Sequence, residues 1–446
     1  MKKACALLLC ASMALSMAAC GGQTTPSSTA PESTGNDTSS TTTPSEPTEL
    51  SLWTFVDQHA AFYEKMAEEW NKENPDKQVK LATTVLPYED MHNKLTTTLQ
   101  SSGAPDICDV EVSKFANYLK GTPALLELNS YIDPYRDSVV KSRLDTYGKG
   151  ETNYGVPFHV GATVMYYNTE LLDQADVDYT KITTWDEYRA AAKTVKEKTG
   201  KSMGFAETKA AWTFSALLTQ QGADLTDADG NPDLTSDAAV KAATLMQDMV
   251  KEGTLEPCTG GQPDEETCKG YIADGNIASV LMPLWYMSRF TGEMADNTGK
   301  WAIAPVPTIE KGQPRSLGLG GTGTVVTNQS KAPELAAEFL VWAKLSPTGE
   351  KYIWEVLGFD PVNKAMWTDE SITKDENNQF IKYFKTNPFD VLNEVKDEIQ
   401  LIKNVEASPS INTTLTTTTL NELFVDMKDP KEALQTAQET VEGELN

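Results

Sequence analysis

Residues 50–112 run LSLWTFVDQHAAFYEKMAEEWNKENPDKQVKLATTVLPYEDMHNKLTTTLQSSGAPDICDVEV, and the spacing of apolar side chains changes period several times along them. Leu50-Ser51-Leu52-Trp53 opens as a strand. Phe62, Met66 and Trp70 then recur every four residues, which predicts an amphipathic helix ending near Asn74-Pro75. Val79, Leu81, Thr83 and Val85 alternate as a strand does. Met91, Leu95 and Leu99 predict a second helix, stopped around Gly103, and residues 107–112 are strand-like again. Strand, helix, strand, helix, strand is the pattern of a parallel sheet joined by crossover helices.

The same α/β character continues to the C-terminus. Residues 154–168 (YGVPFHVGATVMYYN) are a β-branched and aromatic stretch. Thr184 and Glu187 form a capping box that opens a helix carrying Tyr188, Ala192 and Val195. Residues 236–250 predict a Met- and Ala-rich helix, and residues 277–283 and 301–307 predict strands. Residues 318–327 read as a Gly-rich loop running into a strand. Pro333 begins a helix with Leu335, Phe339 and Trp342 on one face. A Thr-rich interval at 413–419 precedes a predicted helix at 421–427. No internal repeat is present.

The chain has 446 residues, and at about 150 residues per domain that length allows two or three lobes. It carries 38 Lys and Arg against 64 Asp and Glu, a formal charge of −26. Such a balance disfavours a nucleic-acid partner, which requires phosphate neutralisation over a broad surface. The 3 histidines, His59, His92 and His159, leave little for a zinc site or a proton relay. No metal or other cofactor is expected.

Met1-Lys2-Lys3 is a short basic segment, and residues 4–17 are apolar, ending in Ala18-Ala19-Cys20. That order reads as a secretory leader, too short for a membrane-spanning helix. The junction SMAACG at 16–21 resembles a bacterial lipobox, with Met17 in place of the usual Leu. The resemblance implies cleavage after residue 19 and lipidation of Cys20, an anchor to the membrane. Of the 27 residues at 21–47, 21 are Ser, Thr, Pro or Gly, so residues 20–47 are expected to form an anchored, disordered tether. Loss of Lys2 and Lys3 with the leader leaves 36 basic and 64 acidic side chains, a charge of −28.

Cys108, Cys258 and Cys268 remain beyond the anchor. Cys108 lies in an apolar strand and is expected to be a buried small hydrophobe. A Cys258–Cys268 disulfide is geometrically possible across the turn-rich segment between them and suits an exported protein, and the sequence leaves it open. Several motifs fail on context. GLGGTG at 318–323 matches a dinucleotide fingerprint but leads into a strand, whereas the pyrophosphate needs a helix N-terminus. DADGNPD at 227–233 hints at a calcium loop, but Ala238 stands where the bidentate Glu belongs. A glycosidase needs only two carboxylates, which so acidic a chain supplies in abundance, and a surface glycoside hydrolase is the rival enzymatic reading.

Taken together, residues 50–55 (LSLWTF), 61–75 (AFYEKMAEEWNKENP), 103–107 (GAPDI), 154–168, 184–188 (TWDEY), 301–307 (WAIAPVP), Gly320-Gly321 and 358–361 (GFDP) resemble the extracellular solute-binding proteins of family 1. These are the sugar-binding, maltose-binding-protein-like class that serves ABC transporters. The narrower likeness, in 53–59 (WTFVDQH), 88–94 (YEDMHNK) and 157–167 (PFHVGATVMYY), is to arabinose, arabino-oligosaccharide and lactose binders. The resemblance implies an α/β, two-lobed periplasmic-binding-protein-like (type II) fold with a hinge and an interlobe ligand cleft. Lobe one would comprise 48–158 plus 305–330, and lobe two 163–300 plus 331–446, with crossings at 157–163 and 304–308. It further implies a monomeric, non-enzymatic lipoprotein on the outer face of a bacterial membrane. Such a protein would pass a neutral sugar to ABC permease subunits.

A sugar presents a rim of hydroxyls and apolar C–H faces, so carboxylates, amides and flat aromatic rings are the side chains that suit it. In α/β sheets ligands sit beyond the carboxyl ends of strands. That rule singles out Asp109, Glu111 and Ser113, with the two acids on one strand face. Trp53, Phe55, Asp57 and His59 follow the first strand. Phe158, His159 and Gly161 lie at the first crossing. Trp212, Trp285 and Trp354 are the stacking candidates, Trp285 because the family tends to place an aromatic there. Gly320 and Gly321 either admit a close backbone approach or form a hinge turn.

Overall fold

The computed structural model describes residues 46–445. The expected leader, the Cys20 anchor and the tether as far as residue 45 lie outside the described residues. Among the described residues no helix is long and apolar enough to cross a membrane.

The alternating segment folds as its periods require. Strand β1 (Thr48–Thr54) leads into helix α1 (Asp57–Glu73), strand β2 (Val79–Val85), helix α2 (Tyr88–Gln100) and strand β3 (Ile107–Glu111). β1 pairs in parallel with both β2 and β3. Leu50 and Leu52 pack with Phe62, Tyr63 and Met66 of α1, while Trp53 packs on the other face with Met91 and Leu95 of α2. Two antiparallel strands from distant parts of the chain complete the sheet. Thr322–Val326 lies against β3, and Gly155–Pro157 lies outside it.

A second, three-stranded sheet has Thr163–Asn168 at its centre, flanked antiparallel by Ser279–Pro283 and Trp301–Ala304. The capping box of Thr184 and Glu187 starts the helix Trp185–Thr199, and Ser236 caps Asp237–Lys251. These helices build the core of this half around Tyr167, Trp185, Phe214 and Met246. Within that core Glu207 is 2% exposed. Its Oε1 accepts from Thr213 Oγ1 at 2.8 Å, at the start of the helix Trp212–Gln220, while Oε2 has no partner among the described residues. Burial pushes the Glu207 carboxyl up to about 7.

Residues 157–163 carry the chain from one sheet to the other, and every residue from 153 to 169 is buried. The single aromatic stretch seen in the sequence is therefore two strands and a crossing. Asp360 brackets that crossing, accepting from Gly161 N at 3.1 Å and Ala162 N at 2.8 Å. The helix Pro333–Leu345, grouped by sequence with 163–300, packs on the five-stranded sheet. Its Lys344 Nζ donates to Val156 O at 2.6 Å and to Thr324 Oγ1 at 2.5 Å, and lies 3.5 Å from the centroid of Phe158.

The Thr-rich interval is not a break but part of a helical run, Ser408–Thr414, a π turn Leu415–Thr419, and Leu420–Phe424. Thr413, Thr416 and Thr417 donate their hydroxyls to carbonyls four residues back, and Thr419 reaches Thr414 O. Those bonds occupy the hydroxyls locally and let threonine sit inside a helix.

Asp109 is wholly buried at the centre of the first sheet. It accepts from Thr54 Oγ1 at 2.7 Å, His59 Nδ1 at 2.9 Å, Tyr63 OH at 3.0 Å and Thr324 Oγ1 at 2.6 Å. Burial alone would raise its pKa, but the His59 bond and the nearby Lys344 charge outweigh it and hold the carboxyl at about 2.

Removing one partner from such a network leaves the others buried without acceptors. Asp109→Ala should therefore cost about 3–5 kcal/mol in urea unfolding at neutral pH, with the slope unchanged. Glu207 acts in the opposite sense. An unfolded carboxyl titrates near ~4.3, and the folded one near 7, so between those values the folded state binds more protons. Stability from this group is thus lost as pH rises through that window, by on the order of 3 kcal/mol at completion. Glu207→Gln should gain on wild type between about pH 5 and about pH 8 when urea midpoints are compared.

Candidate functional site

Because β1 and β3 are parallel, their carboxyl ends share one edge of the first sheet. Phe55 follows β1 there, and Glu111 ends β3. The first turn of α2 supplies Tyr88 and, one turn on, His92. Phe55 packs edge-on to Tyr88 at 5.3 Å between centroids and lies 5.2 Å from His92. His92 Nδ1 bonds Tyr88 O at 2.7 Å and its Nε2 accepts Glu111 N at 3.1 Å, which sets the proton on Nδ1 and makes the ring neutral. Burial lowers its pKa accordingly.

Glu111 is half-buried. Its Oε2 accepts from Tyr88 OH at 3.2 Å, from Ser113 N at 2.8 Å and from the Ser113 hydroxyl. All of these bonds fall on Oε2, so among the described residues Oε1 is left to an outside donor. Burial raises the carboxyl pKa, against the lowering effect of those donors.

The loop Leu319–Gly320–Gly321 enters the same edge beside β3, where Gly321 O accepts Val112 N at 2.8 Å. Arg143, 2% exposed, donates from Nε to His159 O at 3.0 Å and from Nη2 to Gly320 O at 2.5 Å and Tyr147 OH at 3.4 Å. Gly321 has φ of 121°, and a Cβ there would stand 1.9 Å from Arg143 Nη2, so only glycine fits.

The second half of the molecule faces this loop with two half-exposed indoles. Trp285 follows the strand Ser279–Pro283, and Trp212 begins the helix anchored by Thr213 and Glu207. Their centroids are 6.0 Å apart, nearly perpendicular. Trp285 Nε1 donates to Leu319 O at 3.2 Å. Arg289, one helical turn further on, pairs with Asp264 at 2.7 Å, lies 5.9 Å from the Trp285 centroid and reaches Gln58 Oε1 at the start of α1 at 3.0 Å. The two halves thus meet through Trp285–Leu319 and Arg289–Gln58. Among the described residues no group of His, Cys, Asp or Glu is arranged to hold a metal ion.

Of the residues expected at a site, Phe55, Glu111, Ser113, Gly320, Gly321, Trp212 and Trp285 come together along this edge. Asp57 is exposed on the first turn of α1, beside Gln58. The others are interior. Trp53 is core beneath α2, with Lys94 Nζ 4.1 Å from its ring. Asp109 and His59 satisfy each other inside the sheet, and Phe158 is packed 4.3 Å from the His59 ring. His159 is 4% exposed, with burial and the Arg143 charge holding its pKa well below the ordinary value. Gly161 is pressed against Leu319 O, where a Cβ would come within 2.6 Å. Trp354 is wedged between Phe380 and Phe389, at 5.4 Å and 4.5 Å.

Sequence reasoning passed over Tyr88, His92, Arg143, Tyr147 and Arg289. The four-residue spacing of Tyr88 and His92 on one helix face was a usable signal. Arg143 carried none, since the partners that matter to the crossing, His159 O and Gly320 O, are backbone carbonyls.

Residues 55–350 match the model of the bacterial extracellular solute-binding proteins. The chain is 42% identical over 401 residues to an arabinooligosaccharide-binding protein of Halalkalibacterium halodurans, covering 89% of this chain and 90% of that one. It is 42% identical over 398 residues to the arabinooligosaccharide-binding protein of Bacillus subtilis, covering 87% and 91%. Its backbone superposes on the sugar-binding protein MalE of Xanthomonas citri with a TM-score of 0.72 at 17% identity, over 89% and 97% of the two chains. That likeness shows the two-lobed α/β fold, with the two sheets at the centres of the lobes. With more than half of its length matched by the family model, this chain belongs to the bacterial extracellular solute-binding proteins.

Proposed function

We propose that this protein captures an arabino-oligosaccharide at the outer face of a bacterial membrane and presents it to an ABC permease, making and breaking no covalent bond. The relatives' names and the extent of their identity support the sugar class. The observation that carries the site is that Glu111, among the described residues, is bonded through Oε2 alone, on the edge that also receives the Leu319–Gly321 loop and, through the Trp285 Nε1 bond to Leu319 O, the two indoles. A carboxylate oxygen offers a charge-assisted acceptor to ring hydroxyls, and the two indoles offer flat area to the apolar faces. Phe55 and Tyr88 extend the aromatic lining, and Ser113, Gly320 and Gly321 bring hydroxyl and backbone groups within reach.

Closure follows from this arrangement. A ligand that touches Glu111 on one lobe and Trp285 on the other binds the closed form better than the open one, and so shifts the population toward it. Trp285–Leu319 and Arg289–Gln58 are contacts that the protein itself makes between its two halves. Lobe one takes in 48–158 and 305–330, and lobe two 163–300, with the helix Pro333–Leu345 riding on the first. The leader-like segment, the lipobox-like junction at Cys20 and the Ser/Thr/Pro-rich composition of 21–47 support a lipid anchor at the membrane.

Trp285→Ala and Glu111→Ala should each weaken binding of arabino-oligosaccharides by about 1–3 kcal/mol in titration calorimetry. Asp57→Ala, exposed at the rim, should change it by less than about 0.5 kcal/mol. Unchanged affinity in the first two variants removes those residues from the site. Reducing ends released from the oligosaccharide would replace capture by hydrolysis.

A further inference from the structure

Cys258 and Cys268 lie outside the groups that hold the two halves together, yet the fold brings them to one point. Cys258 follows the strand Leu255–Pro257 and donates its N–H to Ala206 O at 3.0 Å. Cys268 is the third residue of the helix Glu266–Ala273. Both thiols are buried, 6% and 0% exposed, and their Sγ atoms are 2.9 Å apart. Cys108, by contrast, is buried beside Met91, and among the described residues no second cysteine lies near it.

The segment between them is a tight loop. Gly261 N bonds Cys258 O at 2.8 Å, and Cys268 N bonds Glu265 O at 2.9 Å. Gly260 and Gly261 take the left-handed φ values of 80° and 98° that the turn needs. From this loop Pro263 O accepts Tyr286 OH at 2.7 Å, and Asp264 holds both Nε and Nη2 of Arg289. Arg289 in turn reaches Gln58 across the cleft.

We propose that Cys258 and Cys268 form a disulfide in the exported protein, a covalent clamp on the loop that positions Asp264 and Arg289. The oxidant is an external disulfide such as oxidised glutathione. One cysteine thiolate attacks a sulfur of that disulfide and expels a thiolate. The second cysteine thiolate then displaces the other half, so two S–H bonds give one S–S bond, two protons are released, and the external disulfide is reduced to two thiols once its thiolates take up protons. Burial and the neighbouring thiol push the Cys258 pKa well up. The exchange therefore belongs to the folding chain, before the loop packs, and the finished bond is shielded from reductant.

Trypsin leaves both cysteines on one peptide, residues 252–269, because no Lys or Arg lies between Lys251 and Lys269. Full-length exported protein is unfolded in urea with iodoacetamide and no reductant, then digested. The 252–269 peptide should be unalkylated and lighter by two hydrogens, while the Cys108 peptide in the same digest carries its alkyl group. Two alkyl groups on 252–269 would overturn the proposal. As a second readout, wild type unfolded in urea, reduced with a phosphine and refolded in its presence should melt on the order of 3–6 °C below its untreated form, while Cys258→Ala/Cys268→Ala taken through the same cycle should be unchanged. Equal shifts in both proteins, or none in either, would overturn it as well. Neither measurement involves a sugar, so their outcome is independent of the proposed ligand.

Discussion

A buried guanidinium and a buried carboxylate hold the backbone that runs between the lobes. Arg143 donates to His159 O on one stretch and Gly320 O on the other, while Asp360 takes the N–H groups of Gly161 and Ala162. Backbone polar groups in so enclosed a crossing need partners, and an unmade bond there costs as much as a lost hydrogen bond. Backbone partners meet part of that need, with Phe158 N donating to Thr322 O, Val160 N to Asp360 O, and Gly161 O accepting from Leu319 N. Long side chains from elsewhere supply the rest. Their placement fixes where Gly320 and Gly321 lie, and hence what Trp285 faces.

The polar groups of the first lobe divide by how completely they are satisfied. Asp109 has four donors and a nearby ammonium, so nothing of its carboxylate remains for a ligand. Glu111, two residues on, gives one oxygen to Tyr88 and Ser113 and keeps the other. The strand places both on one face, yet the end of the sheet admits solvent and its centre does not. Position along the strand, rather than side-chain chemistry, separates an acid satisfied within the sheet from one that keeps an oxygen to spare.

Much of the fold was legible because its signals are local. The four-residue spacing of Phe62, Met66 and Trp70, the alternation at 79–85 and the capping box of Thr184 and Glu187 each concern side chains within a few turns of one another. The Thr-rich segment misled for an equally local reason: hydroxyls that bond back to the helix carry no apolar period. The site was half legible. Aromatic residues at strand ends pointed to Phe55 and Trp285, but the sequence carries no sign that Trp354 is enclosed by Phe380 and Phe389.

From its sequence by itself the chain determined the βαβαβ start and, through its family resemblance, the two-lobed class; its charge disfavoured phosphate-rich partners, and its strand ends offered a short set of candidate ligand positions. Period, turn chemistry and charge are properties of neighbours along the chain. Tertiary structure alone decided that His59 and Asp109 satisfy each other, that Arg143 braces the crossing, that Pro333–Leu345 rides on the first sheet, and that Cys258 meets Cys268. Those outcomes depend on which distant donors and acceptors desolvation forces together, and a linear pattern carries no record of such pairings.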